Sequence, residues 1–201
     1  MHQLGSFYNR VVQPAVRVLE TACQLYPNKV VLSYNGGKDC TVLLELIERF
    51  SFDIPVVYFK ETDAFPELNQ FVESRLRKTN LKTLEMGSDI KKEMQTLVDM
   101  GYEAVILGQR SSDPQCPGGF FAESTPNWPK FMRVLPLLNW SYTDIWKFIK
   151  ETDSEYCILY EKGYSSIGPM SKTLPNPVLN GRPAWELFDS SSERKGREPK
   201  L

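Results

Sequence analysis

The side chains best suited to chemistry lie in one short run, Ser33-Tyr34-Asn35-Gly36-Gly37-Lys38-Asp39-Cys40-Thr41. Two adjacent glycines let consecutive backbone N–H groups face one anion, and a helix that starts there adds the partial positive charge of its N-terminus. Lys38 supplies a point charge beside them. The run is not GxxxxGK[ST], because the glycines are adjacent and the lysine follows directly, and it is not GxGxxG. Asp39 needs a separate account, since a carboxylate beside an isolated phosphate repels it. It either caps the helix or acts through a magnesium ion shared with phosphates. Cys40, at the helix start where a thiol's pKa can fall, is either reactive or a small buried hydrophobe. A second polar run, Gly108-Gln109-Arg110-Ser111-Ser112-Asp113-Pro114, sets a guanidinium three residues from a carboxylate. These two form a functional pair or a surface ion pair.

Something must position these residues, and the apolar pattern around them says what. Val12, Val16, Leu19 and Cys23 share one helical face that ends at Pro27. Val30-Val31-Leu32 then reads as a buried strand, and after the glycines Val42, Leu43, Leu46, Ile47 and Phe50 resume helical spacing. The unit repeats, with Pro55 to Phe59 as strand and Leu68, Phe71, Val72 and Leu76 as helix. Lys82 to Glu85 is a weaker strand, Ile90, Met94, Leu97 and Val98 form a helical stripe, and Ala104 to Leu107 is a second clear buried strand. This alternation predicts an α/β fold, a Rossmann-like parallel twisted sheet flanked by helices. Ligands of such sheets bind beyond the carboxyl ends of the strands, where the glycine turn lies. From Arg110 to Trp128 the rhythm gives way to an irregular loop, and Val134 to Leu138 suggests one more edge segment. Ser141 and Asp144 form a capping box before a helix carrying Ile145, Phe148 and Ile149. We expect residues 1–150 to form the nucleotide-binding α/β part and residues 151–201 an extension packed on it, with the polar stretch from Ser190 disordered.

Composition removes several function classes. With 24 Lys+Arg against 25 Asp+Glu and a formal charge of −1, the chain lacks the positive field of a general nucleic-acid binder. Its four cysteines form no CxxC pair and its single histidine is His2, which argues against zinc, iron–sulfur and thioredoxin-type chemistry. No apolar run reaches the ~18 residues of a membrane span. A reducing cytoplasmic setting and a monomer are the expectations.

Ser33 to Asp39 resembles the SxxGGxD pyrophosphate loop of the ATP-pyrophosphatase superfamily. The form Ser33-Tyr34-Asn35-Gly36-Gly37-Lys38-Asp39-Cys40 is similar to that of the eukaryotic-type FAD synthetases, the FMN adenylyltransferases related to phosphoadenylylsulfate reductase. Gly108 to Pro114 resembles that family's GxRRxDP, with Ser111 replacing the second arginine. Trp128-Pro129 through Arg133, and Pro136 to Trp146, are similar to its WPxFxRxxPLLDWxYxDIW stretch, with Asn139 for aspartate. Tyr156 to Tyr160, Gly163 to Gly168 and Arg182 to Arg197 look like its flavin-side and C-terminal motifs.

The resemblance implies Mg²⁺-dependent formation of FAD and pyrophosphate from FMN and ATP. Around ATP it implies Ser33, Asn35, Gly36, Gly37, Lys38, Asp39, Cys40, Phe59, Gly108 and Arg110. Asn35, Asp39 and Asp113 are the implied catalytic residues, with Asp39 and Asp113 organising the metal. Trp128 is expected to stack on the flavin ring, while Arg133, Arg194 and Arg197 face FMN or phosphate charge. The competing reading of Trp128 is an anchor for its loop, and read from residue type alone Arg194 and Arg197 are solvated charges in a polar tail. The implied partners are ATP, FMN and client apoflavoproteins, without nucleic acid or membrane. A chain of 201 residues is expected to hold no fused riboflavin kinase. The alternatives are a phosphoadenylylsulfate reductase-like enzyme, which would need a C-terminal cysteine segment of ECGxH type not seen here, and a non-catalytic nucleotide or flavin sensor, against which both Asp39 and Asp113 stand intact.

Overall fold

A computed structural model describes residues 2–197. Two helical segments, α1 (His2–Phe7) and α2 (Gln13–Leu25), are joined by a wider π-helical turn at Tyr8–Val12. The chain then alternates: β1 (Val30–Ser33), α3 (Lys38–Arg49), β2 (Val56–Phe59), α4 (Pro66–Lys78), β3 (Thr83–Met86), α5 (Ile90–Asp99) and β4 (Ala104–Ile106). Two short strands, β5 (Phe121–Glu123) and β6 (Met132–Val134), precede α6 (Tyr142–Glu151).

The six strands form one sheet in the order β3-β2-β1-β4-β6-β5. All pairings are parallel except β5 with β6, so the mostly parallel Rossmann-like sheet matches expectation. The irregular stretch 110–128 contains β5, which the sequence pattern misses, and β6 lies between β4 and β5. The segment expected at the edge is therefore interior. Its register sets Ala104 opposite Met132, and Ile106 opposite Val134.

Strand alternation divides the core. Val30, Leu32, Val56, Ala104, Ile106 and Val134 face a large cluster with α2, α3 and α6, whereas Val31, Val57 and Val105 face a smaller one with Met94, Leu97 and Tyr102. Nothing local ends this core at residue 150: Cys157, Leu159, Tyr160, Leu179, Ala184 and Leu187 are buried in the same large cluster. The capping box at α6 is formed, with Ser141 Oγ accepting from Asp144 N–H and the Asp144 carboxylate accepting from Ser141 N–H. Sheet order reverses between β1 and β4. Their carboxyl ends open the switch-point crevice where α/β sheets bind ligands.

Candidate active site

The turn from β1 to α3 requires glycine at position 36. Gly36 has φ +73°, and a Cβ there would lie 2.5 Å from Val72 Cγ2 and 3.0 Å from Leu68 Cδ1 on α4. Gly37, extended at ψ 157°, is the N-cap of α3. Asp39 is thus inside the first turn and is not the cap, though its charge still favours the helix dipole. The freed N–H groups do not both stay open. Asn35 Oδ1 accepts from Gly37 N–H at 2.9 Å, and the hydroxyl of Tyr160 accepts from Lys38 N–H at 2.8 Å.

Beneath the turn four charges form a buried quartet. Asp39 accepts from Arg110 Nε at 2.6 Å and from Lys38 Nζ at 3.0 Å, using one oxygen for each. Glu193, from the C-terminal segment, accepts from Lys38 Nζ at 2.5 Å and from Arg110 Nη2 on both oxygens at 2.6 and 2.7 Å. Arg110 is 1 % exposed, Lys38 3 % and Glu193 6 %. Two cations meet two anions, so the group is neutral as a whole. Burial acts to raise the pKa of Asp39, but Lys38 and Arg110 outweigh it and hold the carboxyl below its usual range. Burial likewise acts to lower the pKa of Lys38, and Asp39 and Glu193 reverse the sign, so the ammonium keeps its proton.

Arg110 also organises its own loop, for Asp113 accepts from the Arg110 backbone N–H at 2.8 Å. The two carboxylates expected to gather a cation, Asp39 and Asp113, are instead brought together on Arg110. Among the described residues no three His, Cys, Asp or Glu side chains converge as a metal cage. Both carboxylates nevertheless line the cleft.

Above the quartet lies a cleft of about 1490 Å³. Asn35, Gly37, Lys38, Asp39, Cys40, Gly108 and Asp113 line one side, and Arg133, Arg194 and Arg197 supply guanidinium groups. Arg133 is tied to Glu123 O at 3.0 Å, Arg194 to Asp113 at 3.5 Å, and Arg197 to Ile167 O at 2.9 Å. Gly108 is pressed against α3, where a Cβ would lie 3.1 Å from Asp39 Cβ and 3.2 Å from Cys40 Sγ. Burial pushes the Cys40 thiol up to about 12, so it is the inert small hydrophobe of the two readings. A smaller hollow of about 470 Å³ beside Glu48, Arg75 and Lys78 contains no residue of the glycine turn.

Several expected residues stand elsewhere. Phe59 packs beside Leu84 and Met86 on the smaller core, away from the cleft lining, because its place in β2 turns it to that face. Ser33 and Gly36 lie behind the turn, Ser33 accepting from the Cys40 thiol through its carbonyl. Arg110 lies beneath the cleft. Trp128 is 40 % exposed and closes a turn through its N–H to Thr125 O, while the cleft itself is lined by Thr125 and Pro126. The residue-type readings missed Tyr160, Glu193 and Glu61. Glu61 lines the cleft, and burial raises its pKa against the opposing pull of Arg197. The stretch from Ser190, expected to be disordered, is folded as far as Arg197. Residues 198–201 lie outside the described residues.

Residues 29–95 and 88–175 match the phosphoadenosine phosphosulfate reductase domain family. A probable FAD synthase of Schizosaccharomyces pombe is 36 % identical over 204 residues, covering 91 % of this chain and 77 % of that protein. A probable FAD synthase of Caenorhabditis elegans is 34 % identical, and there this chain spans only 39 % of the relative's length. In three dimensions the chain is similar to the Candida glabrata FMN adenylyltransferase solved with FAD and inorganic pyrophosphate. That match has a TM-score of 0.84 and 25 % identity, over 96 % of this chain and 88 % of the other.

Proposed function

The chain belongs to the FAD synthase family within the phosphoadenosine phosphosulfate reductase domain fold, and from that membership we propose that it is an FMN adenylyltransferase, making FAD and pyrophosphate from FMN and ATP. The observation that carries this reading is the cleft. At about 1490 Å³ it exceeds the roughly 300–1,000 Å³ that suit one drug-sized ligand, which leaves room for two substrates side by side. A helix N-terminus and three arginines border it.

In the reaction a phosphate oxygen of FMN attacks the α-phosphorus of ATP. The new P–O bond forms as the bond from the α-phosphorus to the bridging oxygen breaks, and that electron pair leaves with pyrophosphate. The attacking phosphate is already an anion at neutral pH, so no general base is required. Catalysis then rests on positioning and on meeting charge. Gly37 and Lys38 at the start of α3 are placed beside the triphosphate, and Arg133, Arg194 and Arg197 take phosphate oxygens through their forked donors. Trp128 is assigned to the flavin side, and residues 151–201 serve as the flavin-binding extension. Mg²⁺ belongs to this proposal as the counter-ion that accompanies ATP, with the phosphates supplying its ligands. A cytoplasmic setting is part of the same reading.

The test incubates the purified chain with ATP, FMN and Mg²⁺, then measures FAD and pyrophosphate. Equal amounts of the two products are expected. Binding of both substrates without product would favour a sensor.

A further inference from the structure

The reaction as proposed gives Glu193 no task, yet the chain invests heavily in its position. Its carboxylate bridges Lys38 Nζ and Arg110 Nη2. Its backbone is fixed as well: Ser165 Oγ donates to Glu193 O at 2.7 Å, and Asn176 Nδ2 donates to Ser165 Oγ and to Ser192 O, both at 2.7 Å. Ser165 and Asn176 are 2 % and 1 % exposed. Three residues on, Leu174 N–H donates to Gly196 O at 2.8 Å, and a Cβ on Gly196 would strike Leu174 O at 2.2 Å. A solvated tail has no use for such anchors.

The effect falls on charges that face the cleft. Lys38, a cleft-lining residue, has its ammonium held by Asp39 and Glu193 and set 5.4 Å from the centroid of the Tyr142 ring. Arg194, the next residue in the chain, and Arg197, one turn beyond, line the same cleft. We infer that Glu193 is a positioning residue for adenylyl transfer: it fixes the Lys38 ammonium for the triphosphate and pins the segment that carries Arg194 and Arg197. This rests on the FMN adenylyltransferase reading. A rival account makes Glu193 an internal competitor that occupies the phosphate's place. Competition requires the segment to leave, and the buried bonds of Ser165 and Asn176 oppose that.

The two accounts predict opposite signs. Glu193→Gln keeps the shape and removes the charge, so positioning predicts a rise in KM for ATP of roughly tenfold or more, from loss of charge-assisted bonds. Glu193→Asp, which restores the charge, should recover part of that. Ser165→Ala, which loosens the backbone anchor and leaves the carboxylate, should shift KM for ATP in the same direction by less. Affinity for ATP is also read by titration calorimetry, which needs no turnover. Unchanged or tighter ATP binding in Glu193→Gln overturns the inference, as does a fall in Tm with KM for ATP and kcat both unmoved. If Glu193→Gln does not fold, Glu193→Asp and Ser165→Ala carry the test. Failure of the unmodified chain to form FAD would instead strike the adenylyltransferase reading, while the calorimetric comparison would still report on Glu193.

Discussion

Arg110→Ala separates a guanidinium that holds the fold from one that holds a ligand. Arg110 donates to Asp39 at 2.6 Å and to both oxygens of Glu193, and it is 1 % exposed. Its truncation leaves the buried Glu193 carboxylate and the partly buried Asp39 carboxylate with Lys38 alone between them. Removing one partner from a buried ion pair costs about 3–5 kcal/mol. That is a large share of the about 5–15 kcal/mol that holds a whole domain. For a chain of this length each kcal/mol moves Tm by about 2–4 °C, so the expected fall at neutral pH is roughly 6–20 °C. The loss should also depend on pH. In the unmodified protein the Asp39 carboxyl is held below its ordinary 3.8, so it adds stability above that value and loses the contribution as pH falls through the depressed one. Without Arg110, burial is less opposed and the folded pKa rises, so protonation relieves the variant. The gap between the two proteins is therefore widest near neutrality and narrows toward about pH 4 and below. Urea unfolding at both pH values, followed by tryptophan fluorescence, measures it. A loss below about 1 kcal/mol at neutral pH, or an equal loss at both, would refute the buried-hub account and return Arg110 to direct ATP contact.

Gly36→Ala should lose roughly 2–4 kcal/mol, because it combines a left-handed backbone with a Cβ 2.5 Å from Val72. Gly101→Ala, at φ +94° with nothing within 4 Å, should lose less by the packing share, and denaturant unfolding of the pair isolates that difference. Trp128→Ala should raise KM for FMN more than KM for ATP with little change in Tm, since the ring is 40 % exposed; equal effects on both substrates would argue against stacking. Cys40, buried and with its pKa pushed up to about 12, should resist a thiol reagent in the native state while the half-buried Cys23 and Cys116 react first, as peptide mass mapping would show.

The sheet was legible where strands are buried on both faces. Val30 to Leu32 and Ala104 to Ile106 are near-continuous apolar runs because helices cover each side. β5 was hidden for the opposite reason: three residues in a run rich in Ser, Pro and Gly, held only by antiparallel pairing with β6. The glycine turn was legible because Gly36-Gly37 stands between strand and helix with Ser33, Lys38 and Asp39 at the spacing of a pyrophosphate loop. Asp39 as a cap was misplaced by two residues, since the extended Gly37 already ends the turn. Phe59 illustrates a limit of strand patterns, which show that neighbours face opposite ways without saying which face meets the cleft. Residue type alone says nothing of Glu193, which the sequence marks only as part of the stretch resembling the family's C-terminal motif. Its burial depends on Arg110, 83 residues away, and Lys38, 155 away, and a carboxylate between serine and arginine reads as solvated until those partners are in place.

The same partners settle how a nearly neutral chain can take two polyanions. Lys38 and Arg110 look like the phosphate-binding charges in sequence, yet Asp39 and Glu193 cancel them within hydrogen-bond distance. The cations that line the cleft outside that quartet are fewer: Arg133, Arg194 and Arg197, beside the N-terminus of α3. Glu61, Glu123 and Asp113 share the lining with those arginines. Under the proposed reaction, selectivity for compact phosphorylated ligands follows from placement, since the turn after β1 and the segment ending at Arg197 line one cleft.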